Sequence, residues 1–183
     1  MTTGIEAEML PPASTELERQ LEALHTSSYG WALACCGWDR DAAEDVLQSA
    51  YLKAIDGTAA FDGLSSVKTW FFGVVKRTAA ESRRKHAVRG AALRRWIDGR
   101  PVATPMKTPD RSIEVADERH RLQQMLRQLS SRQRELLHLV FYQDLTIEDA
   151  AGVLEIGVGS ARTHYERGKA RLRELMQRSG VTR

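Results

Sequence analysis

Between Val158 and Leu175 the sequence interleaves two chemistries at helical spacing. Val158, Ala161, Tyr165, Gly168, Leu172 and Leu175 recur at intervals of three and four, which places them on one stripe of a helix. The other face collects Ser160, Arg162, Thr163, His164, Glu166, Arg167 and Lys169. Arginine can make paired hydrogen bonds to a guanine edge, while Ser, Thr and His serve base edges or phosphates. A helix with such a face is equipped to enter a major groove. Gly159 and Ser160 open it, where backbone N–H groups and the helix dipole favour a phosphate. The plainer alternative is an αα-hairpin whose basic face is merely solvated.

A reading face needs a second helix to hold it. Thr146, with Asp149 three residues on, has the pattern of an N-terminal cap. Ile147, Ala150, Ala151 and Leu154 then follow the i, i+3, i+4, i+7 rule. The stretch Glu155–Gly159 breaks the pattern, so a short helix, a turn and a second helix form a helix-turn-helix. The small pair Ala150–Ala151 lets the two helices approach closely. Upstream, Ser130 with Gln133 predicts a capping box opening a helix that ends near Tyr142. Val115, Leu122, Met125, Leu126 and Leu129 mark one more.

The remainder of the 183 residues is also built for helices. Ala, Leu, Arg, Glu and Gln dominate and alternating strand patterns are scarce, so the fold class is all-α. Residues 100–112 hold Pro101, Pro105 and Pro109, which remove backbone donors and leave an extended linker. The chain therefore reads as two small helical domains, 15–97 and 114–178, joined by a Pro-containing linker over 98–113.

In the front half, Leu17, Leu21 and Leu24 suggest a first helix, and the apolar run from Tyr29 to Asp39 a second, ending near Gly37. Ala42 to Ile55 buries Val46, Leu47, Ala50, Tyr51 and Ala54, and shows Glu44, Asp45, Gln48 and Lys53 on the other side. A Gly/Ser/Asp loop follows. Ser66 then caps a helix running from Val67 past Arg84, with Trp70, Phe71, Val74 and Val75 at helix spacing.

Charge is divided sharply. Residues 39–62 carry six acids against two bases, 76–100 nine Lys/Arg against two acids, and 158–183 seven Lys/Arg against two acids. Two basic blocks on helices are the footprint of a polyanion binder. The adjacent Cys35 and Cys36 make neither a disulfide nor a zinc pattern, which fits a reducing, cytoplasmic setting. Trp31, Cys35 and Trp38 fall at helix spacing and are expected to pack in a core. No apolar run approaches a membrane span, no N-terminal stretch resembles a secretory signal, and the five histidines are scattered. Neither a phosphate-cradling Gly loop nor a Ser/His/Asp arrangement suggests an enzyme.

At this point a family resemblance becomes visible. "DAAEDVLQSAYLKA" with "FDGLSSVKTWFFGVVKRTAAESRRKH" resembles the second conserved region of bacterial RNA polymerase sigma factors, in particular the short, two-domain extracytoplasmic-function (ECF) group. The stretch from Leu129 to Leu175 resembles their fourth region. The likeness covers about residues 20–95 and 115–177, in the family's order.

The resemblance implies a sigma factor that binds core RNA polymerase, places the −35 and −10 elements of promoter DNA and opens the duplex. It needs no cofactor, because polymerase supplies the catalytic metal. Glu44, Asp45, Gln48 and Ser49 then occupy the position that docks on the clamp coiled coil of the largest polymerase subunit. The loop of Phe61, Asp62, Gly63, Leu64, Ser65 and Ser66 takes the position that captures a flipped −10 base. Lys68, Lys76, Arg77, Arg83 and Arg84 could hold the displaced strand. Ser160, Arg162, Thr163, His164, Glu166 and Arg167 fall where the family reads −35. Trp70 is expected to be a core aromatic rather than a contact. An anti-sigma partner masking the DNA-binding faces is a further expectation.

The chain departs from the family at three places. Arg77 stands where Asn is usual, although the acid that typically follows four positions on is present as Glu81; Glu155 follows Leu154 where Gly is usual; and Ala161 replaces a β-branched residue. These bear on promoter sequence and melting, and each leaves the apolar stripe intact. The sequence leaves two other readings: a stand-alone helix-turn-helix regulator, and a sigma-like adaptor that does not act through promoter recognition.

Overall fold

The computed structural model describes residues 12–96, 121–122 and 124–179, with side chains over 16–89, 121–122 and 124–179. The expected linker over 98–113 and the helix marker Val115 lie outside the described residues. Every regular element among the described residues is helical. The chain divides into two compact units, residues 1–79 and 80–183, and the division falls inside a long helix.

The first unit contains α1 (Pro12–Ala23), α2 (His25–Cys35), α3 (Arg40–Ile55) and the start of α4 (Val67–Trp96). Asp39 caps α3 by accepting the Ala42 N–H at 3.1 Å. Ser66 caps α4 as expected, accepting the Thr69 N–H at 3.1 Å. The core forms where the apolar stripes of α2, α3 and α4 meet: Trp31, Ala43, Val46, Ala50, Phe71, Phe72 and Val75 are fully enclosed. The Trp31 indole N–H donates to the Phe72 carbonyl at 3.0 Å, and the two rings lie 6.2 Å apart.

Two expectations about aromatics need correction. Helix α2 ends at Cys35, and Trp38 follows it with φ +71°, so Trp38 shares no helical stripe with Trp31 and Cys35. Gly37, also left-handed at φ +67°, turns the chain just before it. Trp70 is half-buried rather than core: its ring packs at 5.2 Å against Phe61 in the preceding loop and at 6.1 Å against Phe71.

The second unit contains α5 (Ser131–Leu137), a π-helical turn (His138–Tyr142), α6 (Ile147–Leu154) and α7 (Val158–Arg178), with residues 121–122 and 124–127 also helical. The capping box is present in full: Ser130 Oγ accepts the Gln133 N–H, and Gln133 Oε1 accepts the Ser130 N–H. The wider π turn carries the helix to Tyr142 and buries Leu139, while Phe141 and Tyr142 stay exposed. Thr146 caps α6 by accepting the Asp149 N–H at 3.0 Å. Leu136, Leu139, Ala150, Ala151, Val153, Leu154 and Ala161 make the core. Among the described residues, no helix is long and apolar enough to cross a membrane, and no group of three or more His, Cys, Asp or Glu could hold a metal ion.

Burial pushes the His138 imidazole down to about 4 from its usual 6.5. Below pH 6.5 the unfolded chain binds a proton that the folded chain refuses until about pH 4. The corresponding stability is full above pH 6.5 and is lost progressively as the pH falls towards 4, roughly 3 kcal/mol over the whole window. Urea midpoints measured at pH 7.5, 6 and 5 should therefore fall, and His138→Gln should flatten that fall; an unchanged slope would remove His138 as its source.

Candidate nucleic-acid interface

The helix-turn-helix closes through a short turn, residues 155–157, at the start of the interrupted stretch. Glu155 ends α6 in the left-handed conformation (φ +53°, ψ +46°), and Gly157 is already the N-cap of α7. Gly159 thus lies in the first turn of α7, and neither it nor Gly157 has a positive φ. The turn rests on a non-glycine residue in a glycine conformation. Glu155→Gly is accordingly expected to raise stability by about 0.5–1 kcal/mol, read from urea unfolding, because the Cβ strain is relieved at the cost of some chain entropy. Arg132 secures the same corner from α5, its Nη1 donating to the Leu154 carbonyl at 3.2 Å.

The stripe that seats α7 is narrower than its spacing predicted. Ala161, Gly168 and Leu175 are buried and Tyr165 and Leu172 half-buried, but Val158 is exposed. Gly168 is the closest approach: a Cβ there would lie 3.2 Å from Gln133 Cβ and 3.3 Å from Leu137 Cδ1 on α5. The spacing placed Gly168 on the stripe, but only the packing reveals that α5 crosses at that point.

The opposite face of α7 presents Ser160, Arg162, Thr163, Glu166 and Arg167 to solvent, with His164 half-buried at its edge. Thr163 Oγ1 donates to the Gly159 carbonyl at 3.0 Å. Glu166 pairs with Lys169 at 3.5 Å, and Lys169 also lies over the Tyr165 ring at 5.0 Å. Arg162 reaches off its own helix to Glu148 on α6, Nη2 to Oε1 at 2.9 Å. Its own backbone N–H and Arg162 together hold the Glu148 carboxyl below the usual carboxylate range.

In the first unit, the loop between α3 and α4 is shaped by its own side chains. Asp56 accepts the Thr58 N–H at 2.8 Å and Asp62 the Leu64 N–H at 3.0 Å. Gly63 supplies the positive φ of +74°. Asp62, Gly63, Leu64, Ser65 and Ser66 are exposed, Leu64 at 88%, whereas Phe61 is half-buried against Trp70. Lys68 lies over the Phe72 ring at 5.7 Å. Lys76 and Arg77 lie further along α4, half-buried and exposed respectively. Arg83 and Arg84, seven residues beyond each, are exposed. Seven residues is nearly two helical turns, so each pair shares a side of the helix.

Glu44, Asp45, Gln48 and Ser49 are all exposed on α3. Lys53, expected beside them, is half-buried and donates to Thr78 Oγ1 at 3.3 Å. The sequence reading missed the surface that adjoins these acids. A groove of about 710 Å³ is lined by His25, Tyr29, Leu47, Tyr51, Leu52 and Ile55 together with Glu44 and Gln48. Leu52 and Ile55 are 60% and 59% exposed. Their signal was present: they are apolar residues of α3 that lie off its core stripe.

The family model "Sigma-70 region 2" matches residues 22–89, and "Sigma-70, region 4" matches residues 119–172. The ECF RNA polymerase sigma factor SigX of Bacillus subtilis is 27% identical over 141 residues, covering 76% of this chain and 73% of its own. EcfG of Rhodopseudomonas palustris, also an ECF sigma factor, is 26% identical over 173 residues, covering 93% and 90%. The fold is similar to that of the sigma factor RpoE from Bartonella quintana, solved with the anti-sigma factor NepR, at a TM-score of 0.68 and 24% identity over 88% of this chain and 97% of that one. With both conserved regions matched in order and relatives named as ECF factors across most of its length, the chain belongs to the extracytoplasmic-function group of bacterial RNA polymerase sigma factors.

Proposed function

We propose that this sigma factor docks on core RNA polymerase through Glu44, Asp45, Gln48 and Ser49 and directs initiation by reading two promoter elements. The observation that carries the reading is the exposed, polar and cationic face of α7 on a well-packed helix-turn-helix, in the unit that matches region 4. Ser160, Arg162, Thr163, His164, Glu166 and Arg167 read the −35 element from the major groove. The loop Phe61–Ser66 takes a flipped −10 base, and Lys68, Lys76, Arg77, Arg83 and Arg84 hold the opened strand. The functional domains are 15–97 and 114–178, with 98–113 as the linker. The protein acts in the cytoplasm and performs no catalysis of its own, since bond formation belongs to the polymerase. An anti-sigma factor is its proposed regulatory partner, as NepR is found bound to the Bartonella relative.

The test is core-dependent transcription. Purified chain, sigma-free core polymerase and genomic promoter fragments are combined, and the run-off transcripts are sequenced. Transcripts sharing upstream −35 and −10 patterns are the expected result. Operator binding without any association with core would overturn the reading and leave a stand-alone regulator.

A further inference from the structure

We propose that Glu148 is a positioning residue for base reading: its carboxylate holds the Arg162 guanidinium in the orientation that contacts one base pair of the −35 element. The inference rests on the reading of α7 as the DNA-facing helix. Its basis is the contact between the two helices of the motif, Arg162 Nη2 to Glu148 Oε1 at 2.9 Å. The ion pairs Glu166–Lys169 and Arg171–Glu174 join neighbours three apart on α7 itself, whereas Arg162 and Glu148 are fourteen residues apart and come from different helices.

Stability offers little reason for this pair. Both side chains are more than half exposed, and exposed ion pairs contribute little to folding. A carboxylate beside a DNA-reading face is also a liability, since it repels phosphate. Orientation gives it a purpose. Free arginine has large rotamer freedom, part of which is lost whenever it binds. A guanidinium already held has less to lose. The bond to Glu148 uses one of five N–H donors, so enough remain for a paired contact to guanine O6 and N7. Glu148 is itself well placed to act as an anchor. It lies in the first turn of α6, where the helix dipole favours an anion.

The experiment uses holoenzyme assembled from the full chain and core RNA polymerase. Bound duplexes are selected from a library randomised across the −35 region, with the original chain, Arg162→Ala, Glu148→Ala, Glu148→Gln and the Arg162→Ala/Glu148→Ala double variant. Arg162→Ala should relax base preference at one position. Glu148→Ala should relax the same position, lowering discrimination there about fivefold to tenfold, and should add nothing further when Arg162 is already alanine. Glu148→Gln, which keeps an acceptor oxygen, should lie between. If Glu148→Ala instead tightens binding to every sequence equally, Glu148 is only a repulsive surface charge, and the inference fails while the role of Arg162 stands. If Arg162→Ala changes no base preference, the base-reading role of Arg162 fails and the inference with it. Circular-dichroism melts check that each variant is folded; should Glu148→Ala not fold, Glu148→Gln carries the same comparison.

Discussion

Replacing Trp31 with alanine is expected to cost the first unit about 3–5 kcal/mol, the range for emptying a large aromatic site in a packed core. Trp31 is fully enclosed, and its ring lies against Phe72 while its N–H bonds the Phe72 carbonyl. One side chain on α2 therefore grips α4. The loss combines the transfer of a large apolar surface to water with a cavity that the surrounding helices fill only in part. Trp31→Phe separates these effects from the hydrogen bond. It keeps much of the burial and should cost less, about 1–2 kcal/mol. Urea unfolding followed by circular dichroism measures both. Equal, small losses for the two variants would mean that α2 and α4 are held elsewhere. Since α3 packs against α2, a first unit loosened by Trp31→Ala should also bind core polymerase more weakly.

Gly168→Leu should destabilise the second unit by roughly 3 kcal/mol, because overpacking a tight helix crossing forces off-rotamer side chains or backbone movement. Even a single Cβ at this site would lie 3.2 Å from Gln133 Cβ, which cannot swing aside, and 3.3 Å from the movable tip of Leu137. Gly168→Ala is the informative control. Alanine gains up to about 1 kcal/mol of helix propensity over glycine, which offsets the squeeze, so its net effect should stay within about 1 kcal/mol. The ratio of the two effects, read from chemical unfolding, tests the crossing directly. Promoter binding should follow stability: moving α7 off α5 displaces the whole face proposed to read DNA. A leucine variant as stable as the original would show that the helices separate freely there.

Periodicity alone made the helices of both units legible. On α3, Val46, Leu47, Ala50 and Ala54 are buried as their spacing requires, with Tyr51 of the same stripe half-buried, and Glu44, Asp45, Gln48 and Ser49 are exposed. The caps at Ser66, Ser130 and Thr146 were also readable, because a short side chain bonding a backbone N–H three residues on is a local event. Motif order in the chain was enough to suggest the family, since the motif residues sit at fixed offsets on single helices.

What the chain could not show by itself depends on contacts between elements. Trp70 shared the spacing of a core stripe, yet it is only half-buried, and the ring it meets is Phe61 of the preceding loop. Val158 lay on the apolar stripe of α7 but no helix covers it enough to bury it. The glycines near Glu155 drew attention to themselves, while the left-handed residue was the glutamate beside them. The groove beside Glu44, the crossing at Gly168 and the reach of Arg162 to Glu148 each join residues distant in sequence. Local pattern therefore determined the helices, their polar faces and the family of this protein. The tertiary packing decided which apolar positions are covered, where two helices touch, and which carboxylate meets Arg162, because each of these is set by side chains that only the fold brings together.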